Sequence, residues 1–172
     1  MATMTATSGT TLQEVFVLLV REHEPLLHKV CHLYCRNEEE RGDLLQEILL
    51  QVWRSLPGFE ERAKPATWIY RVALNTAITL LRKSASTVPV DALPDVQAAV
   101  CEAREFRQVE HAEVLERALA TLSSVEKAIV LLHFEERSYL EIGEILGISE
   151  KSVGVKLVRI KTKLRDWFQG TR

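Results

Sequence analysis

The sequence predicts an all-α protein: two small helical domains joined by a flexible linker, the second carrying a helix-turn-helix. Three observations lead there. Apolar residues recur at helical spacing behind repeated capping boxes, and no stretch alternates with the period of a strand. The helical pattern dissolves between Ala85 and Cys101, where Ser86, Pro89, Asp91, Pro94 and Asp95 are linker material. Beyond that, the glycine-punctuated run from Tyr139 to Val153 has the layout of two short helices meeting at a turn.

Taken in order, residues 1–11 are a small polar tail expected to be disordered. Thr11 and Glu14 then read as a capping box, each side chain satisfying a backbone N–H at a helix start. Helical periodicity runs to about Glu22 and resumes through Pro25 to about Arg36. Asn37 caps a third helix, with Glu40 three residues on and Leu44, Leu45, Ile48, Leu49 and Val52 on its apolar face as far as Ser55. Leu56-Pro57-Gly58-Phe59 breaks the chain. Pro65 suits the first turn of a further long helix, because its missing N–H has no helical partner there anyway, and this helix is expected to reach Ser84. The first domain is thus 12–84 and the linker 85–101. The second domain, 102–172, opens with Phe106, Val109, Leu115, Leu119 and Leu122 at helical spacing. Capping boxes at Ser123/Glu126 and Ser138/Glu141 follow, and Ser149 caps the last helix.

At 172 residues the chain is one medium domain or two small ones, and 47% hydrophobic with 27% charged is ordinary globular composition. The net charge of -2 excludes a general polycation, so any nucleic-acid contact must come from a local patch. One such patch exists. Lys151, Lys156, Arg159, Lys161, Lys163, Arg165 and Arg172 face a single acid, Asp166, at the C-terminal end, behind a connector made acidic by Asp91, Asp95, Glu102, Glu105 and Glu110. The odd set Cys31, Cys35 and Cys101 fits a reducing compartment. No apolar run is long enough to span a membrane and the start carries no signal-peptide core, so a cytoplasmic protein without membrane insertion is expected.

In the helix-turn-helix, Gly143 is the small residue that allows a close helix crossing, and Gly147 stands where the turn needs a positive φ. Ile142, Leu146, Ile148 and Val153 are the expected contacts between the two helices. Val153, Leu157, Ile160 and Leu164 form one apolar stripe, which leaves Lys151, Ser152, Val155, Lys156 and Arg159 for the other faces. A capped helix with basic residues outside suits a DNA major groove, where phosphate contacts position it and side chains read base edges. An αα-hairpin with a polar surface is the plain structural reading of the same residues.

Trp68-Ile69-Tyr70-Arg71-Val72-Ala73-Leu74-Asn75, continuing to Arg82 and Lys83, interleaves aromatic, amide and basic groups. Aromatics stack on exposed bases, and Asn pairs with a base edge. Taken alone, Trp68 reads more readily as core than as a base reader, while Tyr70 reads equally as either.

Three segments together carry a resemblance: Asp43-Leu44-Leu45-Gln46-Glu47-Ile48-Leu49-Leu50-Gln51-Val52-Trp53, then Thr67 to Asn75, then the terminal helix-turn-helix. In order and separation they resemble the signatures of extracytoplasmic-function (ECF) sigma factors of the sigma-70 family, over nearly all of the chain except both tails and the linker. The resemblance implies that residues 12–84 are sigma region 2 and residues 102–172 are sigma region 4. Asp43, Gln46 and Glu47 would dock on the β′ clamp of core RNA polymerase. Trp68, Tyr70, Arg71, Asn75, Arg82 and Lys83 would recognise and open the promoter −10 element, Asn75 against an extruded base. Lys151, Ser152, Val155, Lys156 and Arg159 would meet the −35 element. The partners implied are the polymerase β′ and β subunits, promoter DNA and an anti-sigma factor, with no cofactor. Relatives place polar or basic residues where this chain has Gly154 and Val155, so phosphate anchoring is expected to outweigh base hydrogen bonding at −35.

His28, Cys31, His32 and Cys35 share one helical face, but four ligands on a straight helix cannot wrap a tetrahedral metal, and a packed face is the expected role. There is no phosphate-binding glycine loop and no nucleophile beside a base, so no enzyme is expected. Two rival readings are a helix-turn-helix regulator that works without polymerase and a sigma-like interaction module that has lost −35 readout. The first leaves the Asp43–Trp53 and Trp68–Asn75 segments unexplained.

Overall fold

A computed structural model describes residues 11–59, 64–87 and 114–170, with side-chain surroundings given to Lys83 in the second of these segments. The tail before Thr11, the linker from Val88 onward, Cys101 and the start of the second domain at Phe106 and Val109 lie outside the described residues. Those described are helical, with turns between the helices and no strand among them. The chain divides into two compact units, Met1–Thr79 and Leu80–Arg172.

In the first unit, α1 (Leu12–Glu22) starts on the Thr11 box. The Thr11 N–H donates to Glu14 Oε2 at 2.8 Å and the Glu14 N–H to Thr11 Oγ1 at 3.3 Å. His23 interrupts the helix, and its own N–H closes α1 onto the Leu19 carbonyl at 3.2 Å. Helix α2 (Glu24–Tyr34) follows with Pro25 in its first turn. Helix α3 (Glu38–Ser55) begins where Asn37 Oδ1 accepts the Glu40 N–H at 2.8 Å; Glu38, Glu39 and Glu40 lie at the end that the helix dipole favours for negative charge. The Arg41 guanidinium reaches back to the Cys35 and Arg36 carbonyls at 3.3 and 2.7 Å, which fixes the α2–α3 corner.

A 3₁₀ turn at Leu56–Gly58 ends α3, and α4 (Pro65–Thr87), whose residues from Leu80 onward belong to the second unit, runs three residues beyond the expected Ser84. The extension has a backbone reason. Ser84 to Ser86 carry no obligate breaker, and the first residue disfavoured in a helix is Val88, ahead of Pro89. Leu27, Val30, Cys31, Leu44, Ile48, Val52, Ile69, Ala73 and Leu74 make the core. Each fully buried Leu, Ile or Val side chain here contributes about 1.5–3 kcal/mol. The Phe16 ring meets Trp53 edge-on, with centroids 5.3 Å apart.

In the second unit, residues 114–120 are helical, and Ala118 and Leu122 are buried. Helices α5 (Ser124–Phe134) and α6 (Tyr139–Leu146) each start on a complete capping box, at Ser123/Glu126 and Ser138/Glu141. Helix α7 (Glu150–Gly170) buries Val153, Leu157 and Ile160 against both, with Leu164 half-buried at the end of the stripe. Lys163 Nζ lies 3.4 Å from Glu126 Oε2, linking α7 to α5. Burial works to raise the Glu126 carboxyl, but the hydrogen bonds from Ser123 and the charge of Lys163 outweigh it and hold its pKa below the usual value.

Two glycines are structural necessities. A Cβ on Gly143 would stand 2.6 Å from the Ile148 carbonyl oxygen, so only glycine lets the turn close over α6. Gly147 ends α6 at φ 69°, the left-handed conformation that glycine adopts freely.

Candidate nucleic-acid interface

On α3 the buried ridge of Leu44, Ile48 and Val52 fixes which residues face outward. Asp43 and Gln46 are exposed and Glu47 is half-exposed, its Oε1 accepting from Gln51 Nε2 at 2.8 Å. Asp43, Gln46 and Glu47 share one side by their spacing, and the i+7 position of the same side is Leu50, 40% exposed. This surface is therefore acid and amide, with an apolar residue at its C-terminal end. Sequence reasoning missed Leu50, although its spacing from Asp43 would have found it.

Helix α4 sorts its candidate residues by phase. Arg71, Asn75, Arg82 and Lys83 are exposed. Trp68 is half-buried, its ring packed on Phe59 with centroids 4.8 Å apart. Trp68, Arg71 and Asn75 lie on one stripe at i, i+3, i+7, and Arg82 falls a further seven residues along the same helix.

Tyr70 must be removed from the expected base contacts. At 1% exposure it is a core residue, in phase with buried Ala73, Leu74 and Ala77. Its ring faces are taken by packing, and stacking on a base needs a free face. Asn75 differs in the same terms: it is exposed in the middle of a helix, not buried as a cap.

In the helix-turn-helix, Lys151 and Arg159 are exposed, and Lys156 is half-buried on the flank. Ser149 Oγ accepts the Ser152 N–H at 3.2 Å and lies 2.8 Å from Ser152 Oγ, so the Ser152 hydroxyl already takes part in the cap. Val155 and Val158 point outward, 45% and 66% exposed. Val158 was not among the expected contacts. Gly154 does not leave an open gap. A Cβ there would meet the Tyr139 ring at 3.7 Å, so an aromatic from the start of α6 covers the position.

Comparison with known proteins gives both parts of the chain a family. The sigma-70 region 2 family model matches residues 19–87, and the sigma-70 region 4 model matches residues 112–164. The ECF RNA polymerase sigma factor SigM of Mycobacterium tuberculosis is 29% identical over 150 residues, 87% of this chain and 74% of that protein. This chain is an ECF sigma factor of the sigma-70 family.

SigW of Bacillus subtilis, also an ECF sigma factor, is 24% identical over 165 residues, 89% of this chain and 88% of that one. Two solved structures share the fold. CnrH in complex with the cytosolic domain of CnrY has a TM-score of 0.68 at 23% identity, over 96% of this chain and 93% of that one. RpoE in complex with the anti-sigma factor NepR from Bartonella quintana has a TM-score of 0.72 at 19% identity, over 92% and 99%. In this sigma factor α1–α4 fall largely within the region 2 match, and the helix-turn-helix falls within the region 4 match.

The His28, Cys31, His32 and Cys35 face of the sigma factor is divided between core and solvent. Cys31 and Cys35 are free thiols, Cys31 buried and Cys35 half-buried. Burial, with Cys35 adding to it and Arg41 opposing, pushes the Cys31 thiol up to about 11. No group of three or more metal-binding side chains is assembled among the described residues, and no helix there is long and apolar enough to cross a membrane.

Proposed function

We propose that this sigma factor binds core RNA polymerase, recognises the promoter −10 and −35 elements and promotes melting of the DNA for transcription initiation. Residues 12–84 form the docking and melting domain, and residues 102–172 form the −35 domain beyond a linker at 85–101. The α3 surface of Asp43, Gln46 and Glu47, with Leu50 at its C-terminal end, docks on the β′ clamp. Trp68, Arg71, Asn75, Arg82 and Lys83 on α4 meet the −10 element. Lys151, Ser152, Val155, Lys156 and Arg159 on α7 meet the −35 element, largely through phosphates.

The observation that carries this reading is the exposed stripe of Arg71 and Asn75 opposite a buried face of Ile69, Ala73 and Leu74. A helix needs no amide there for its own stability, whereas an unpaired base presents both a donor and an acceptor to one. The chain does no chemistry: it shifts an equilibrium by binding melted promoter better than duplex, and the polymerase supplies catalysis. An anti-sigma partner is supported by CnrH and RpoE, solved with CnrY and with the anti-sigma factor NepR. The work is done in the cytoplasm, where polymerase and promoter are.

The test is purified core polymerase plus this chain on a randomised duplex pool, with opening followed by permanganate reactivity of unpaired thymines. A recovered pair of elements that opens only when both proteins are present is the expected result. Binding to DNA that is indifferent to core polymerase would favour a free-standing regulator.

A further inference from the structure

The outward ridge of α7 carries two apolar side chains that phosphate anchoring leaves unused. Val155 and Val158 are 45% and 66% exposed, while the buried residues Val153, Leu157 and Ile160 occupy the other side of the helix. With Lys151 they follow an i, i+4, i+7 spacing, so all three stand on one ridge. A single exposed valine needs no explanation. Two, a turn apart on the second helix of a helix-turn-helix, form a strip, and both are weaker helix formers than Ala or Lys. The cations around them decide what the strip would meet. Lys151 shares the ridge, and Lys156 and Arg159 flank it, so the partner favoured by charge is a polyanion. The apolar group that duplex DNA offers to a helix in its major groove is the C5-methyl of thymine.

We propose that Val155 and Val158 form a thymine-reading strip, so that this chain discriminates the −35 element by methyl contacts where side-chain hydrogen bonds are missing. The proposal rests on the reading of α7 as the −35 helix. Three residues advance about 4.5 Å along a helix, close to the roughly 3.4 Å between stacked bases of one strand. The two thymines therefore belong to neighbouring base pairs.

The experiment uses holoenzyme assembled from the full chain and core polymerase, on the duplex recovered from the randomised pool. Each −35 thymine is replaced in turn by deoxyuridine, which deletes only the methyl, and salt-dependent binding to the whole duplex is followed in parallel. The expected result is a loss of about fourfold at two neighbouring positions, the equivalent of about 0.8 kcal/mol for one buried apolar carbon, and none elsewhere. Val155→Ser and Val158→Ser should each abolish the thymine preference at one of those two positions, since Ala would keep a methyl able to touch thymine. Both sites are exposed, so the variants should keep their helical circular dichroism.

Salt-dependent binding that persists while uracil and thymine bind alike overturns the proposal and leaves the DNA-binding reading standing. Absence of any salt-dependent duplex binding overturns both. Variants that keep the thymine preference but lose affinity for polymerase make the ridge a protein-docking surface, which also overturns it.

Discussion

The Tyr139 ring lies over Gly154, with Cε2 3.7 Å from where a Cβ on that glycine would stand. That distance is ordinary van der Waals contact, so the side chain absent from α7 could be restored without moving the ring. Gly154→Ala should therefore stabilise the second unit by up to about 1 kcal/mol, the helix-propensity difference between the two residues. Gly143→Ala should do the opposite, because its Cβ meets the Ile148 backbone oxygen at 2.6 Å, and a cost of about 1–3 kcal/mol is expected. Thermal melts of the two variants side by side check both signs.

Glu136 is the one non-glycine residue with positive φ among the described residues, at 56°. It closes α5, its N–H donating to the His133 carbonyl and that of Arg137 to the Leu132 carbonyl, each at 3.1 Å. Left-handed backbone costs an L-residue about 1–2 kcal/mol, part of which glycine would recover against its greater freedom when unfolded. Glu136→Gly is expected to raise the melting temperature by a few degrees. An unchanged or lower value would mean that the Glu136 side chain contributes more than its backbone strain costs.

Asp43 and Glu47 lie on the outer side of α3, away from its buried ridge. Changing both to Lys should weaken core polymerase binding at least tenfold while leaving the melting temperature within a degree or two. A titration showing parental affinity would remove α3 from the docking account. Leu50→Ala, on the same surface, should add to the loss.

Lys156 sits on the flank of α7, beside the outward ridge. Lys156→Ala is expected to reduce affinity alike on all sequences and to lower the slope of log affinity against log salt by about one unit. A loss confined to one base position would make Lys156 a base reader.

Much of this fold was legible because it is written locally. Thr11, Asn37, Ser123, Ser138 and Ser149 all cap the helices that their neighbours announce, since a cap is an interaction over three residues. Gly143 and Gly147 were legible for the same reason. Glu136 was not: a left-handed residue is announced by Gly or Asn, and tertiary context imposed it on a glutamate. The outcome at Tyr70 was available in the sequence, since it shares its stripe with Ala73, Leu74 and Ala77, but the chemistry of an aromatic beside Arg71 drew attention from its phase. The cover that Tyr139 gives Gly154 comes from packing between two helices, which the spacing within either one does not encode.

Asn75 is exposed on α4, where it neither caps a helix nor fills the core. In the proposed function Asn75 reads an unpaired base of the −10 element. The direct test is Asn75→Ala in holoenzyme, with promoter opening followed by a fluorescent base analogue across the four bases at each −10 position. Unchanged folding and core binding are expected, with slower opening and loss of preference at a single position by about 1–3 kcal/mol. Parental preference retained at every position by the variant would contradict it.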